Sequence, residues 1–113
     1  MTVAVNTSGS QTATVTTEHT LATVTDARVL QLVVDVNAMV NGATPDLVEF
    51  RWYGKARTGD TERLIKVWSL IGLQSEALWI SPPLISPHHA KFTLKQTQGT
   101  GRAYPWSVYE PGQ

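Results

Sequence analysis

Hydrophobic positions in this chain recur at every second residue, not at helical spacing. In "RVLQLVVDV", Leu30, Leu32, Val34 and Val36 fall on one face and Val29, Gln31, Val33 and Asp35 on the other. That is the period-two pattern of a strand with one buried side. "LVEFRWYGKAR" repeats it, with Val48, Phe50 and Trp52 opposite Glu49, Arg51 and Tyr53. Thr58-Gly59-Asp60 makes a turn and "TERLIKVWSLIG" returns, so the two runs predict a hairpin. "AKFTLKQT" and "RAYPWSVYE" predict another: Phe92 and Leu94 alternate with Lys91, Thr93 and Lys95, and Tyr104, Trp106 and Val108 alternate in the return. Pro105 cannot donate to a ladder, which calls for an edge position or a bulge.

The remaining segments fill in around these runs. "TATVTTEHTLATVTD" is dense in Thr, Val and Ala and predicts two short strands with a turn near Glu18-His19. "EALWI" predicts one more strand, and "NAMVNGATPD" a break with room for one helical turn. In "SPPLISPHH", Pro82, Pro83 and Pro87 remove three donors and fix φ, so this run predicts a crossing from one sheet to another. Residues 1–11 are small and polar and predict a flexible arm ahead of a domain over residues 12–113. Within the arm Val3 and Val5 alternate with Thr2, Ala4 and Asn6, a pattern suited to adding a strand to a partner's sheet edge. Thr2, Val3, Val5 and Asn6 are therefore the candidate partner-binding residues. Together the segments predict an all-β fold: a single antiparallel β-sandwich of about seven or eight strands, with the jelly roll among the arrangements this strand density allows.

Composition narrows the function classes. A chain of 113 residues buries roughly two-thirds of its unfolded surface, and a 42% hydrophobic content with four Trp supplies a core without metal or disulfide. The absence of Cys removes disulfide frameworks, Cys-based zinc sites and thiol nucleophiles. Nine Lys+Arg balance nine Asp+Glu, and Lys55, Arg57, Arg63 and Lys66 are interleaved with Glu49, Asp60 and Glu62, so no basic patch for nucleic acid is legible. "MTVAVNTSGSQ" has no basic n-region followed by a long apolar stretch, which argues against a secretory leader. The longest apolar-rich run, Val29 to Val36, is interrupted by Gln31 and Asp35 and falls well short of the roughly 20 residues of a membrane span.

Candidate chemistry is sparse. Gly99-Thr100-Gly101-Arg102 invites a phosphate-loop reading, but a strand with a proline follows it where a helix N-terminus would be needed. The glycines supply the positive φ of a hairpin loop instead. His88 and His89 are adjacent and point to opposite faces of any strand, poor geometry for one metal. His19, Asp26 and a serine could be written as a triad, but no Gly-x-Ser-x-Gly places them together. No pair of acids is set for glycoside chemistry. Trp52, Trp68, Trp79 and Trp106 could stack on sugars, against which Trp52 shares a face with Val48 and Phe50. The chain is expected to be non-enzymatic, with no metal and no cofactor.

The runs "TVTTEHTLATVTDARVLQLVVDVNAMVNG" and "FTLKQTQGTGRAYPWSV" resemble small virion-associated proteins encoded among the head and tail genes of tailed bacteriophages. The resemblance spans roughly Thr12 to Val108 and carries no catalytic motif; "ATPDLVEFRWYGKARTGDTERLIKVW" is more aromatic than the family pattern. It implies a structural component of the virion, assembled in the host cytoplasm. The role expected first is a decoration or cement protein on the major capsid protein, as a small symmetric oligomer with a trimer favoured. The alternatives are a head–tail connector, tail or fibre-associated protein and, from another class, a carbohydrate-binding sandwich.

Overall fold

The computed structural model describes residues 4–111. Alternating sequence becomes nine strands: β1 (Ala4–Thr12), β2 (Glu18–Val24), β3 (Arg28–Asp35), β4 (Leu47–Gly54), β5 (Arg63–Ile71), β6 (Leu78–Ile80), β7 (Leu84–Ser86), β8 (Ala90–Gln98) and β9 (Ala103–Glu110). No helix forms among the described residues. One sheet has the order β1-β9-β3-β6, with β7 also beside β3; the other has the order β2-β8-β4-β5. Every pairing is antiparallel.

The pairings nest. β4 pairs with β5, β3 with β6 and β7, β2 with β8, and β1 with β9. The chain is in effect one long hairpin, its tip at the β4–β5 turn, rolled so that successive nested pairs fall in alternate sheets. The β9–β3 and β8–β4 ladders then stitch the pairs together within each sheet. This is the double-sheet connectivity of a jelly roll.

The two inner faces supply the core. Leu30, Leu32 and Val34 of β3 are fully buried, as are Val48 and Phe50 of β4, Phe92 and Leu94 of β8, and Tyr104 and Val108 of β9. The phases predicted for these four strands are the observed ones. Toward the β5 side, the Trp79 ring lies 4.6 Å from Phe50 and 5.2 Å from Trp68, bridging the sheets.

Several expectations are corrected. The segment expected as a free arm is β1 from Ala4 onward, with Val5 paired to Tyr109 and Gln11 to Tyr104. β9 offers it a ladder that a polar sequence alone does not advertise. Residues 1–3, including Thr2 and Val3, lie outside the described residues. The first turn falls at Val15-Thr16, where Thr16 takes φ +73°, and Glu18 and His19 open a single strand. The proline-rich crossing contains β7, because Ser81 bridges the gap: its N–H donates to Leu32 O at 2.9 Å and its Oγ accepts from Leu32 N–H at 3.0 Å. β1 and β7 raise the strand number to nine. β9 is an internal strand, and Pro105 is accommodated because it lies one residue past the last rung with β3, Val34 with Trp106.

The expected β8–β9 hairpin does not form: the two strands lie in different sheets, and the glycine-rich loop is the turn that crosses between them, closed around a buried carboxylate. Asp46, only 1% exposed, ends the β3–β4 loop. Its Oδ1 accepts from Thr100 N–H at 3.0 Å and from Gln96 Nε2 at 3.3 Å. Its Oδ2 accepts from Val40 N–H at 3.0 Å and Arg102 Nε at 2.9 Å. Gly99 takes φ +90°, and a Cβ there would collide with the Asp46 carboxylate. Gln96, fully buried, accepts in turn from Arg102 N–H at 3.2 Å and Tyr104 Oη at 2.9 Å. Burial pushes the Tyr104 phenol up to about 12. Asp46→Ala is expected to cost about 3 kcal/mol or more, since it strands buried donors and an Arg. Gly99→Ala is expected to cost about 1–3 kcal/mol through backbone strain and the collision. Urea unfolding midpoints of the two variants check both values.

Candidate functional site

Period two gives each sheet an outer face, and the two outer faces differ in chemistry. On the β2-β8-β4-β5 sheet the outward positions include Glu18, Lys91, Thr93, Lys95, Glu49, Arg51 and Tyr53, brought side by side by rungs such as Glu49–Lys95 and Arg51–Thr93. Only at the β5 edge do exposed aliphatics, Leu64 and Ile71, join them. Glu18 sits at the centre of a polar clasp. Its carboxylate accepts from Tyr53 Oη at 2.6 Å and Thr93 Oγ1 at 2.7 Å, and pairs with Arg51 at 3.2 Å. Arg51 also pairs with Glu49 at 2.8 Å, and Lys91 Nζ stands 4.5 Å above the Tyr53 ring. Burial raises the Glu18 pKa, but the hydrogen bonds from Tyr53 and Thr93 and the charges of Arg51 and Lys91 outweigh it and leave it lowered. At one end Glu62 joins Lys91, at 2.8 Å, and His89. Burial again opposes these partners, and the net effect is a lowered Glu62 pKa. Carboxylates held ionised by several donors act as cross-strand ties. They are the wrong state for a general acid.

The histidines are brought to different partners. His89 is bonded to Glu62, His88 Nδ1 lies 3.3 Å from Thr58 Oγ1, and His19 Nε2 accepts from Thr14 N–H at 3.0 Å. Asp26 is engaged by Arg28 at 2.7 Å, and Arg28 also reaches Glu110 at 2.8 Å. His19 and Asp26 therefore do not form the triad that can be written on paper. No group of three His, Cys, Asp or Glu residues among the described residues could hold a metal ion. Trp52, Trp68, Trp79 and Trp106 are all partly buried and packed against the core.

The outer face of the β1-β9-β3-β6 sheet carries aliphatics instead. Its outward positions include Val29, Gln31, Val33 and Asp35 of β3, Leu78 and Ile80 of β6, and Ile85 of β7, with Ser107 and Tyr109 of β9 alongside. Val29, Leu78, Ile80 and Ile85 are 43%, 55%, 52% and 70% exposed. Asp35 is the one charge among these positions; it stands at the end of β3 and accepts from Asn37 N–H at 2.9 Å. Contiguous exposed aliphatics of this kind mark contact surfaces more often than single exposed leucines do.

Of the residues expected to bind a partner, Thr2 and Val3 fall outside the described residues. Val5 lies in β1, and Asn6 occupies the register shift between Val5 and Thr7. The described part of that pattern, Ala4 and Val5, is paired with β9 within the chain. Sequence reasoning missed the aliphatic face. The available signal was "LWISPPLIS", apolar in both phases at Leu78, Trp79, Ile80, Leu84 and Ile85. Compared with protein-family models, curated proteins and solved structures, the chain finds no match.

The clasp sets an acid dependence. Glu18, Glu62 and Asp46 have lowered pKa values in the folded state. Their contribution is complete above the unfolded carboxylate value near pH 4 and is lost as pH falls through the lower folded values. Stability is therefore expected to drop on acidification below about pH 4. Glu18→Gln should flatten that limb and cost about 1 kcal/mol at pH 7, a modest value because the clasp is part-exposed. Chemical denaturation at a series of pH values reads both effects.

Proposed function

We propose that this protein is a non-enzymatic structural component of a tailed-bacteriophage particle, decorating the shell by binding the major capsid protein. The observation that supports this reading most is the contrast between outer faces. One is tied into ion pairs suited to water, and the other presents Val29, Val33, Ile80 and Ile85 with almost no charge. Interface centres are depleted of charge in the same way. A zero formal charge is also compatible with a life on a protein surface rather than on nucleic acid. In this reading the β1-β9-β3-β6 face lies on the shell and the Glu18 face points outward.

The test is occupancy. The double variant Ile80→Lys with Ile85→Lys places two cations on the proposed contact face at residues that are 52% and 70% exposed. Its thermal melt should stay near that of the parent chain, while its occupancy on purified particles, counted by quantitative mass spectrometry, should fall at least about tenfold, as for loss of a contact hot spot. Copy number in the same experiment separates positions in the particle. Hundreds of copies fit decoration, and about a dozen or fewer would move the assignment to a connector or tail role. Undiminished occupancy of the double variant would remove the aliphatic face from the account.

A further inference from the structure

A different surface carries a second interaction. Among the described residues β5 is the open edge of its sheet, with β4 on one side and no strand on the other. At nine residues it is about 30 Å long, a template for another strand unless something blunts it. Little does. Leu64, Ile65 and Ile71 are 48%, 52% and 56% exposed, and Leu73, just past the strand, is 60% exposed. Beside them a recess of about 240 Å³ opens between β5 and β6, lined by Leu70, Leu78 and Trp79 on its apolar side and by Gln74, Ser75 and Glu76 on its polar side. Leu64, Ile65, Ile71 and Leu73 are thus four largely exposed aliphatics on or just past one edge strand, and exposed aliphatics gathered in this way mark contact surfaces.

The charges on this edge are arranged by sign. Arg63 and Lys66, both exposed, stand on the first half of β5, and Glu76, also exposed, stands on the loop after it. None of the three is in an ion pair with another described residue. A strand with a cationic start and an acidic end is complementary to a copy of itself running the opposite way.

We infer that two copies of this chain associate through an antiparallel β5–β5 pairing about a two-fold axis, joining their four-stranded sheets into one of eight. Register follows from the strand. The ladder with β4 pairs Trp52 with Lys66 and Tyr53 with Leu64, leaving Ile65 as the extra residue of a bulge and Lys66–Ile71 as the regular run. With the axis at Trp68, Lys66 of one copy lies opposite Leu70 of the other. Leu70 lines the same recess as Glu76, so the Lys66 ammonium arrives at the acidic loop. An axis at Lys66 would set two ammonium groups against each other, which directly opposed positions penalise. The pairing makes a dimer, not the three-fold assembly expected from the sequence resemblance, and it requires nothing of the particle.

Sedimentation velocity of the full chain, from about 1 to 100 µM at low salt, tests it. A reversible dimer is expected, weakening as salt screens the exposed pairs. Lys66→Glu and Glu76→Lys should each weaken it at least about tenfold, as removing a charge pair across an interface does. The double charge swap, Lys66→Glu with Glu76→Lys, should restore it. All three variants change exposed residues, and matching thermal melts will show that they fold. A monomer throughout this range, a trimer, or a dimer indifferent to both single reversals would overturn the inference.

Discussion

Taking a carboxylate out of water costs several kcal/mol unless its oxygens find donors of good geometry. Asp46 meets that demand with Val40 N–H, Thr100 N–H, Gln96 Nε2 and Arg102 Nε. These donors come from the β3–β4 loop, β8 and the β8–β9 turn, segments more than fifty residues apart in part. Even its backbone joins in, since Gly72 N–H donates to Asp46 O at 2.7 Å and brings the end of β5 to the same place. Burial raises the Asp46 pKa, but the hydrogen bonds from Val40, Arg102 and Thr100 outweigh it, so the group stays charged. One side chain therefore fixes how the connection into β4 sits against the turn that returns β8 into β9.

That fixed point matters because the nested topology puts successive partners in different sheets. β8 belongs with β2 and β4, β9 with β1 and β3, and the turn between them must cross the sandwich. Gly99 at φ +90° lets the backbone approach the carboxylate, and Gln96 and Tyr104 carry the network into the core. With the crossing held, the strand phases decide which side chains face inward. The remainder then divides into one face held by Glu18, Arg51 and Lys91 and another left aliphatic. The difference between the faces supports the proposed attachment, and the open second half of the β5 edge supports the proposed pairing. Both proposals use surfaces that the crossing places, and neither uses the polar clasp.

Much of the core was legible in local pattern. The phases of β3, β4, β8 and β9 follow from alternation alone, because Phe50 and Leu94 sit between polar neighbours that point the other way, and Leu32 and Val108 each have one such neighbour. That Gly99-Thr100-Gly101 is a turn and not a phosphate loop was also available from the absence of a following helix, but that it joins two sheets instead of bending a hairpin was not. Asp46 was not legible. In "ATPDLVEF" it looks like an ordinary loop acid, and two of its donors, Thr100 and Arg102, are 54 and 56 residues away. β1 was hidden for a related reason: Asn, Ser, Gly and Gln have little strand preference of their own, and the ladder to β9 supplies what the sequence lacks. The aliphatic face was hidden because "LWI" is apolar in both phases, so period two cannot say which side is turned to solvent.

The most direct test is native-state hydrogen exchange at two amides. Val40 and Thr100 lie in loops, where N–H groups ordinarily exchange through small local openings. If the buried carboxylate holds the crossing as described, both amides should exchange only through large openings, with protection close to that of the β3 and β8 core. Exchange of both at the pace of the exposed turn around Thr58-Gly59 would contradict the account, for it would mean that the crossing opens without the sandwich.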